Sequence, residues 1–195
     1  MSKLEVTIED FQKVLTPQNI RVLQVIYAAL ATAVFIFSLI AVSGYFIFQD
    51  NYQAADPSLI GILTVIHFII FPIIFYISKY LYDYLFQSNR FSRLPEVSTA
   101  GNQNFPLSLA ENLLAMIRSS SIVRLALLEI PAMFGLTICF MAALQGVLQQ
   151  FPFYWINMVS ALVFEVIIYI EFPSRQKLEI QFREKWPQQT IYKSN

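Results

Sequence analysis

Residues 20–48 read IRVLQVIYAALATAVFIFSLIAVSGYFIF, with no charged side chain between Val22 and Gln49. A helix needs about 20 apolar residues to cross the hydrocarbon core of a bilayer, and this run exceeds that. Thr16-Pro17 stands at its start. Threonine caps helix N-termini, and proline is pre-organised for the first helical turn. Working outward, residues 58–86 read SLIGILTVIHFIIFPIIFYISKYLYDYLF and follow Asp56-Pro57, which repeats the same start signal. Pro72 inside this run removes one backbone hydrogen bond and predicts a kink.

Two further apolar runs follow. The spans are expected at about 17–48, 58–85, 121–147 and 153–172. Residues 87–120 are hydrophilic and carry Pro95, Gly101 and Pro106, so they read as a cytoplasmic loop. Within that loop Ser108-Leu-Ala-Glu111 has the capping-box pattern, which predicts a short surface helix over 108–118 leading into the third span. Residues 173–195 form a charged cytoplasmic tail. Near the N-terminus Leu4, Ile8, Phe11 and Leu15 recur at helical spacing, so 3–15 reads as an interfacial helix or as a docking helix for a partner. The expected fold is all-α: a single membrane domain, an integral four-helix bundle with short amphipathic interfacial helices.

Composition supports this reading. Hydrophobic residues make up 56% of the 195 and charged residues 13%, against about 25% charged in soluble domains. The net charge is zero, so nucleic acid is not an expected partner. Cys139 is the only cysteine, which rules out an intramolecular disulfide or a CxxC pair. Three acids, Glu5, Glu9 and Asp10, precede the first apolar run where a cleavable signal would be basic, so the first span is expected to be retained.

The basic residues give an orientation. All 13 Lys and Arg lie before span one, between spans two and three, or after span four, or at the edges of those regions. The positive-inside rule then places both termini in the cytoplasm. A bacterial inner membrane is the expected location. Tyr76, Tyr80, Tyr82 and Tyr84 around Lys79 suit an aromatic belt with a snorkelling lysine.

Few residues in these spans carry chemistry. Glu129 lies eight residues beyond Ser121, about 12 Å along a helix, and Glu165 lies seven before Phe172, about 10 Å from the same side. An unpaired carboxylate there costs about 2.5–3.5 kcal/mol. The two acids are therefore expected at matched depth, turned away from lipid. They would be paired with a basic residue such as Arg21, Lys79, Arg118 or Arg124, or act as a proton or cation site. His67 is the only histidine and falls near the middle of span two. It suits an interhelical hydrogen bond, a step in a proton path, or an axial ligand for a haem or chlorophyll-type pigment. Small residues at Ala29/Ala33, Ala28/Thr32 and Gly135/Cys139 favour close helix approach. No GxSxG, HExxH or Walker A motif occurs, and no catalytic or metal-binding residue is expected.

The stretch Ala126-Leu-Leu-Glu129-Ile-Pro-Ala-Met-Phe134-Gly135-Leu136-Thr-Ile138 resembles the ion-carrying helix of the ring subunit (subunit c) of rotary ATPases. That resemblance implies an ion-binding carboxylate at Glu129. It covers residues 126–138 only, and the family's glycine-rich partner helix has no counterpart. The whole chain is similar to small four-span bacterial membrane proteins of unknown function, which share a basic start to span three and an A-L-L-E segment. The expected role is a non-enzymatic membrane subunit or accessory protein, in contact with lipid and with other membrane subunits or further copies of itself. The alternatives are a small proton- or cation-translocating protein using Glu129 and Glu165, and a pigment- or haem-binding subunit using His67.

Overall fold

The computed structural model describes residues 3–4, 7–48, 56–85, 105–185 and 191–192. In chain order these form β1 (Lys3–Leu4), α1 (Ile8–Val14), α2 (Pro17–Ile47), α3 (Ser58–Leu85) and α4 (Phe105–Leu144). Then come α5 (Val147–Gln150), a 3₁₀ helix (Pro152–Met158), α6 (Val159–Glu171), α7 (Arg175–Lys185) and β2 (Ile191–Tyr192). The expected loop over 87–104 and the end of the tail beyond 185, β2 excepted, lie outside the described residues. The architecture is helical apart from the two-residue strand pair. Four stretches, Pro17–Ile47, Ser58–Leu85, Leu107–Leu144 and Pro152–Glu171, are long and apolar enough to cross a membrane.

Side-chain caps start the helices where the sequence signals them. The Thr16 hydroxyl accepts from Asn19 N at 3.2 Å, and Asp56 Oδ1 accepts from Ser58 N at 2.9 Å. Thr7 and Asp10 form a reciprocal capping box on α1. One expected boundary is absent. The surface helix over 108–118 and the third span are a single helix that already begins at Phe105, so Ser108 lies inside it and is not its N-cap. The serines at 119–121 do not interrupt it. Ser120 Oγ donates back to Met116 O at 2.8 Å or Ile117 O at 3.0 Å, which satisfies the hydroxyl without breaking the turn. The interfacial helix is shorter than 3–15, and the tail holds a helix of its own, α7. α4 stops at Gly146, whose φ of 71° is left-handed and suits glycine.

The chain divides into two compact units. The first comprises Met1–Ile26, Tyr80–Val123 and Pro173–Asn195. Its core forms where α1 meets α7. Phe11 is fully buried and stacks on Phe182 with ring centroids 4.3 Å apart and planes at 14°. Val14, Leu15, Leu178 and the buried face of α4 (Leu109, Ala110, Leu113, Leu114, Ile117) complete the apolar interior of this unit. β1 pairs antiparallel with β2, Lys3 opposite Tyr192 and Leu4 opposite Ile191.

The second unit comprises Tyr27–Lys79 and Arg124–Phe172, and so holds part of all four long helical stretches. α4 is its central helix. Leu125, Leu128, Ala132, Leu136, Cys139 and Ala143 are buried at three- and four-residue spacing along it. Half of the most apolar stretch of α4 is buried, against 17% for α2 and 17% for α3. α2 contributes a narrow buried seam, Tyr27, Val34 and Ala41, at seven-residue intervals. At Gly44 that seam comes so close to α4 that a Cβ would stand 3.3 Å from the Phe140 ring. Large apolar side chains outside these seams, among them Phe35, Ile36, Ile62, Val65, Ile69, Ile73 and Leu162, are exposed.

Candidate functional site

The polar interior of the second unit is built around His67. The ring is 1% exposed and makes two side-chain contacts. Nδ1 is 3.0 Å from Asn157 Oδ1, and Nε2 is 3.0 Å from Ser160 Oγ. Three residues per turn in the 3₁₀ helix align Tyr154 with Asn157, and the next step of three reaches Ser160. All three are buried, so this change of helical pitch turns one polar edge inward.

The orientation of Asn157 is determined. Its Nδ2 donates to Thr64 Oγ1 at 3.0 Å and to Tyr154 O at 2.9 Å. Thr64 has already committed its own proton to Ile60 O at 2.8 Å, so its oxygen accepts. The amide nitrogen therefore faces two acceptors and Oδ1 faces the imidazole, which places a proton on Nδ1. Ser160 Oγ also lies 3.0 Å from Pro131 O on α4 and 3.3 Å from Asn157 O. Residues of α3, α4, the 3₁₀ helix and α6 thus meet within one connected network.

Two sets of residues enclose it. The rings of Phe68, Phe71 and Phe134 lie 5.5, 6.2 and 5.9 Å from the imidazole centroid. Gly135 supplies the room. A Cβ there would overlap Asn157 O and stand 2.8 Å from both His67 Cε1 and Ser160 Oγ. Gly135 is therefore a close-approach residue at the helix crossing. Cys139 is buried nearby with Sγ 3.7 Å from Tyr154 O.

As placed, both nitrogens of His67 are engaged, so an axial bond to a pigment or haem would require displacing Asn157 or Ser160. Among the described residues no group of three or more His, Cys, Asp or Glu is arranged to hold a metal ion.

The acids are arranged differently. Glu129 and Glu165 are both half-buried. Among the described residues no hydrogen bond or ion pair joins them, and Glu165 Oε1 is buried without a hydrogen-bond partner. Arg124 pairs instead with Glu171, Nη1 to Oε1 at 2.7 Å, with 21% and 27% of the two side chains exposed. Arg21 is exposed in the first unit, where it lines a shallow groove with Gln18, Val22, Val25 and Ile26. Arg118, also in the first unit, is half-buried, and its Nε has no partner.

Sequence reading did not single out Asn157, Ser160, Thr64 or Glu171. Depth was the available signal. His67 lies nine residues from the start of α3, about 13 Å along it, and Ser160 lies at a similar distance from Pro152. No protein family, curated protein or solved structure matches the chain.

Proposed function

We propose that the chain is a non-enzymatic integral membrane subunit or accessory protein of a larger membrane assembly. Its four long helical stretches cross the bilayer, and both termini are cytoplasmic. The observation that carries this reading is the contrast between interior and surface. The His67 network spends its hydrogen-bonding capacity on the protein itself, while α2 and α3 leave most of their apolar surface uncovered. Uncovered apolar surface on that scale belongs in lipid or against other membrane helices. The distribution of Lys and Arg supports the orientation, and a bacterial inner membrane fits the sequence likeness.

Extraction of native membranes into a mild detergent or nanodiscs, followed by cross-linking and mass spectrometry, tests this. The expected result is stoichiometric recovery with another integral membrane protein or with further copies of the chain. A lone monomer from such membranes overturns it. For orientation, a cysteine at Lys177 is expected to resist impermeant reagents in intact cells, and one at Gln150 to react.

A second reading, proton or cation translocation, rests on the unpartnered Glu165 Oε1. It predicts proton flux in reconstituted vesicles that Glu165→Gln abolishes while the fold is retained.

A further inference from the structure

We propose that His67 is a reversible proton-binding site and that the proton it takes up fastens α4 to the contact between α3 and α6. The argument begins with hydrogen-bond directions. Asn157 accepts on Oδ1 because its nitrogen is committed to Thr64 and Tyr154, so Nδ1 of His67 is a donor in every state. The protonation state is then decided at Nε2, which faces the Ser160 hydroxyl at 3.0 Å, with the Pro131 carbonyl also beside the ring.

That hydroxyl has one proton and two directions in which to place it. In the neutral ring the Ser160 O–H points at the Nε2 lone pair, across 3.0 Å, and α6 is bonded to α3 alone. When a proton from water adds to Nε2, the new N–H donates to Ser160 Oγ across the same 3.0 Å. The hydroxyl proton turns to Pro131 O, 3.0 Å away, or to Asn157 O at 3.3 Å. No covalent bond to a heavy atom breaks, and no heavy atom has to move. The protonated centre is one hydrogen bond richer, since Ser160 then accepts from α3 and donates to α4. Proton uptake thus tightens a three-helix junction.

The surroundings are compatible with a cation. Phe71 lies roughly parallel to the imidazole with centroids 6.2 Å apart, at the outer edge of cation–π range. The charged and titratable groups on the elements packed around His67 are few. α2 has no charged residue between Val22 and Ile47, only the phenols Tyr27 and Tyr45, and α3 adds only Tyr76 to His67 itself between Ser58 and Ser78. Within the second unit α4 carries Arg124, Glu129 and Cys139. The 3₁₀ helix carries Tyr154, and α6 carries Glu165, Tyr169 and Glu171. Arg124 and Glu171 neutralise one another. That leaves Glu129 and Glu165 as the available counter-charges. Glu165 lies five residues beyond Ser160, about 7 Å along α6. The aromatic shell, with no carboxylate within hydrogen-bond reach among the described residues, makes the site selective for a proton over a metal ion.

His67 is the only histidine, so protein labelled with [15N]histidine reports this ring without resonance assignment. The full chain in nanodiscs is titrated from about pH 8 to about pH 4, the range that brackets histidine chemistry, while helix content is followed. The expected spectrum at the upper end is a neutral ring protonated on Nδ1, the less common tautomer of free imidazole. At the lower end both nitrogens carry protons, with helix content unchanged. A ring carrying the same number of protons at both ends overturns the proposal, as does a neutral ring protonated on Nε2. In Ser160→Ala the new N–H loses its hydroxyl acceptor. The doubly protonated form should then be about tenfold less populated at matched pH, because hydrogen bonds to charged groups outweigh those to neutral ones. An unchanged population in that variant overturns the role of Ser160. Failure of the titration leaves the subunit reading intact, since co-purification tests that reading separately.

Discussion

A Cβ on Gly135 would overlap the main-chain oxygen of Asn157. The helix crossing therefore depends on a missing methyl group at one position. Backbone cannot yield as a flexible side chain does. Gly135→Ala is expected to destabilise the protein by about 2–3 kcal/mol, through overpacking, despite the better helix propensity of alanine. Gly61→Ala is the control. Its Cβ would meet only the Tyr154 hydroxyl, at 3.3 Å, so its effect should stay within about 1 kcal/mol. Thermal unfolding in detergent compares the two. Equal losses would show that Gly135 is not a packing constraint.

Asn157 and His67 should behave as a coupled pair. Asn157→Leu leaves the Nδ1 proton of His67 without an acceptor and is expected to cost about 2–3 kcal/mol. His67→Phe in that background should cost less than it does in the native protein, because the orphaned group is gone. A double-mutant cycle should show a coupling of about 1–2 kcal/mol. Additive effects would deny the contact.

The Arg124–Glu171 pair joins α4 to the C-terminal end of α6 and is mostly shielded from solvent. Each alanine substitution alone is expected to cost about 1–2 kcal/mol, since the surviving charge is left poorly solvated. The double substitution should cost less than the sum. High salt should leave the effect nearly unchanged, whereas a fully exposed pair would be screened.

Asp10 gives a pH prediction outside the spans. The Thr7 hydroxyl donating to Oδ2 at 2.7 Å holds Asp10 below its ordinary value of 3.8, with Lys13 contributing less. A folded-state value below the unfolded one contributes stability that is complete above the unfolded value and is lost as pH falls through the folded one. The α1 amides should therefore keep their exchange protection down to about pH 4 and lose part of it below that. Thr7→Ala should weaken the helix by about 1 kcal/mol and remove most of this acid dependence. Acid-independent protection in the native protein would contradict the capping box.

The long helices were legible because residues such as Val22–Phe48 and Ser58–Ile77 leave only one economical way to satisfy a backbone in an apolar run. The boundary at Ser119–Ser121 was not. Serine reads as a breaker until its hydroxyl is seen bonding back to the preceding turn. His67 was visible as an anomaly, but its partners were not, because Asn157 and Ser160 become neighbours only through the 3₁₀ pitch of Pro152–Met158. Glu129 and Glu165 stood out by charge. Glu171 stood at the end of the fourth span without a visible role, because nothing in local sequence says that Arg124 lies within 2.7 Å.

The central helix of the second unit is the third long helix to be synthesised, and the residues that satisfy His67 come after it. α2 and α3 are made before α4 exists to cover their buried seams, so on the membrane reading proposed above lipid must accept them first. His67 is made with them and waits for Asn157 and Ser160, which lie 90 and 93 residues downstream. Synthesis therefore passes through a stage in which the imidazole lacks the partners it has in the complete fold. A truncation before Asn157 would hold the protein at that stage and present membrane quality control with an unsatisfied polar group inside an otherwise acceptable helix.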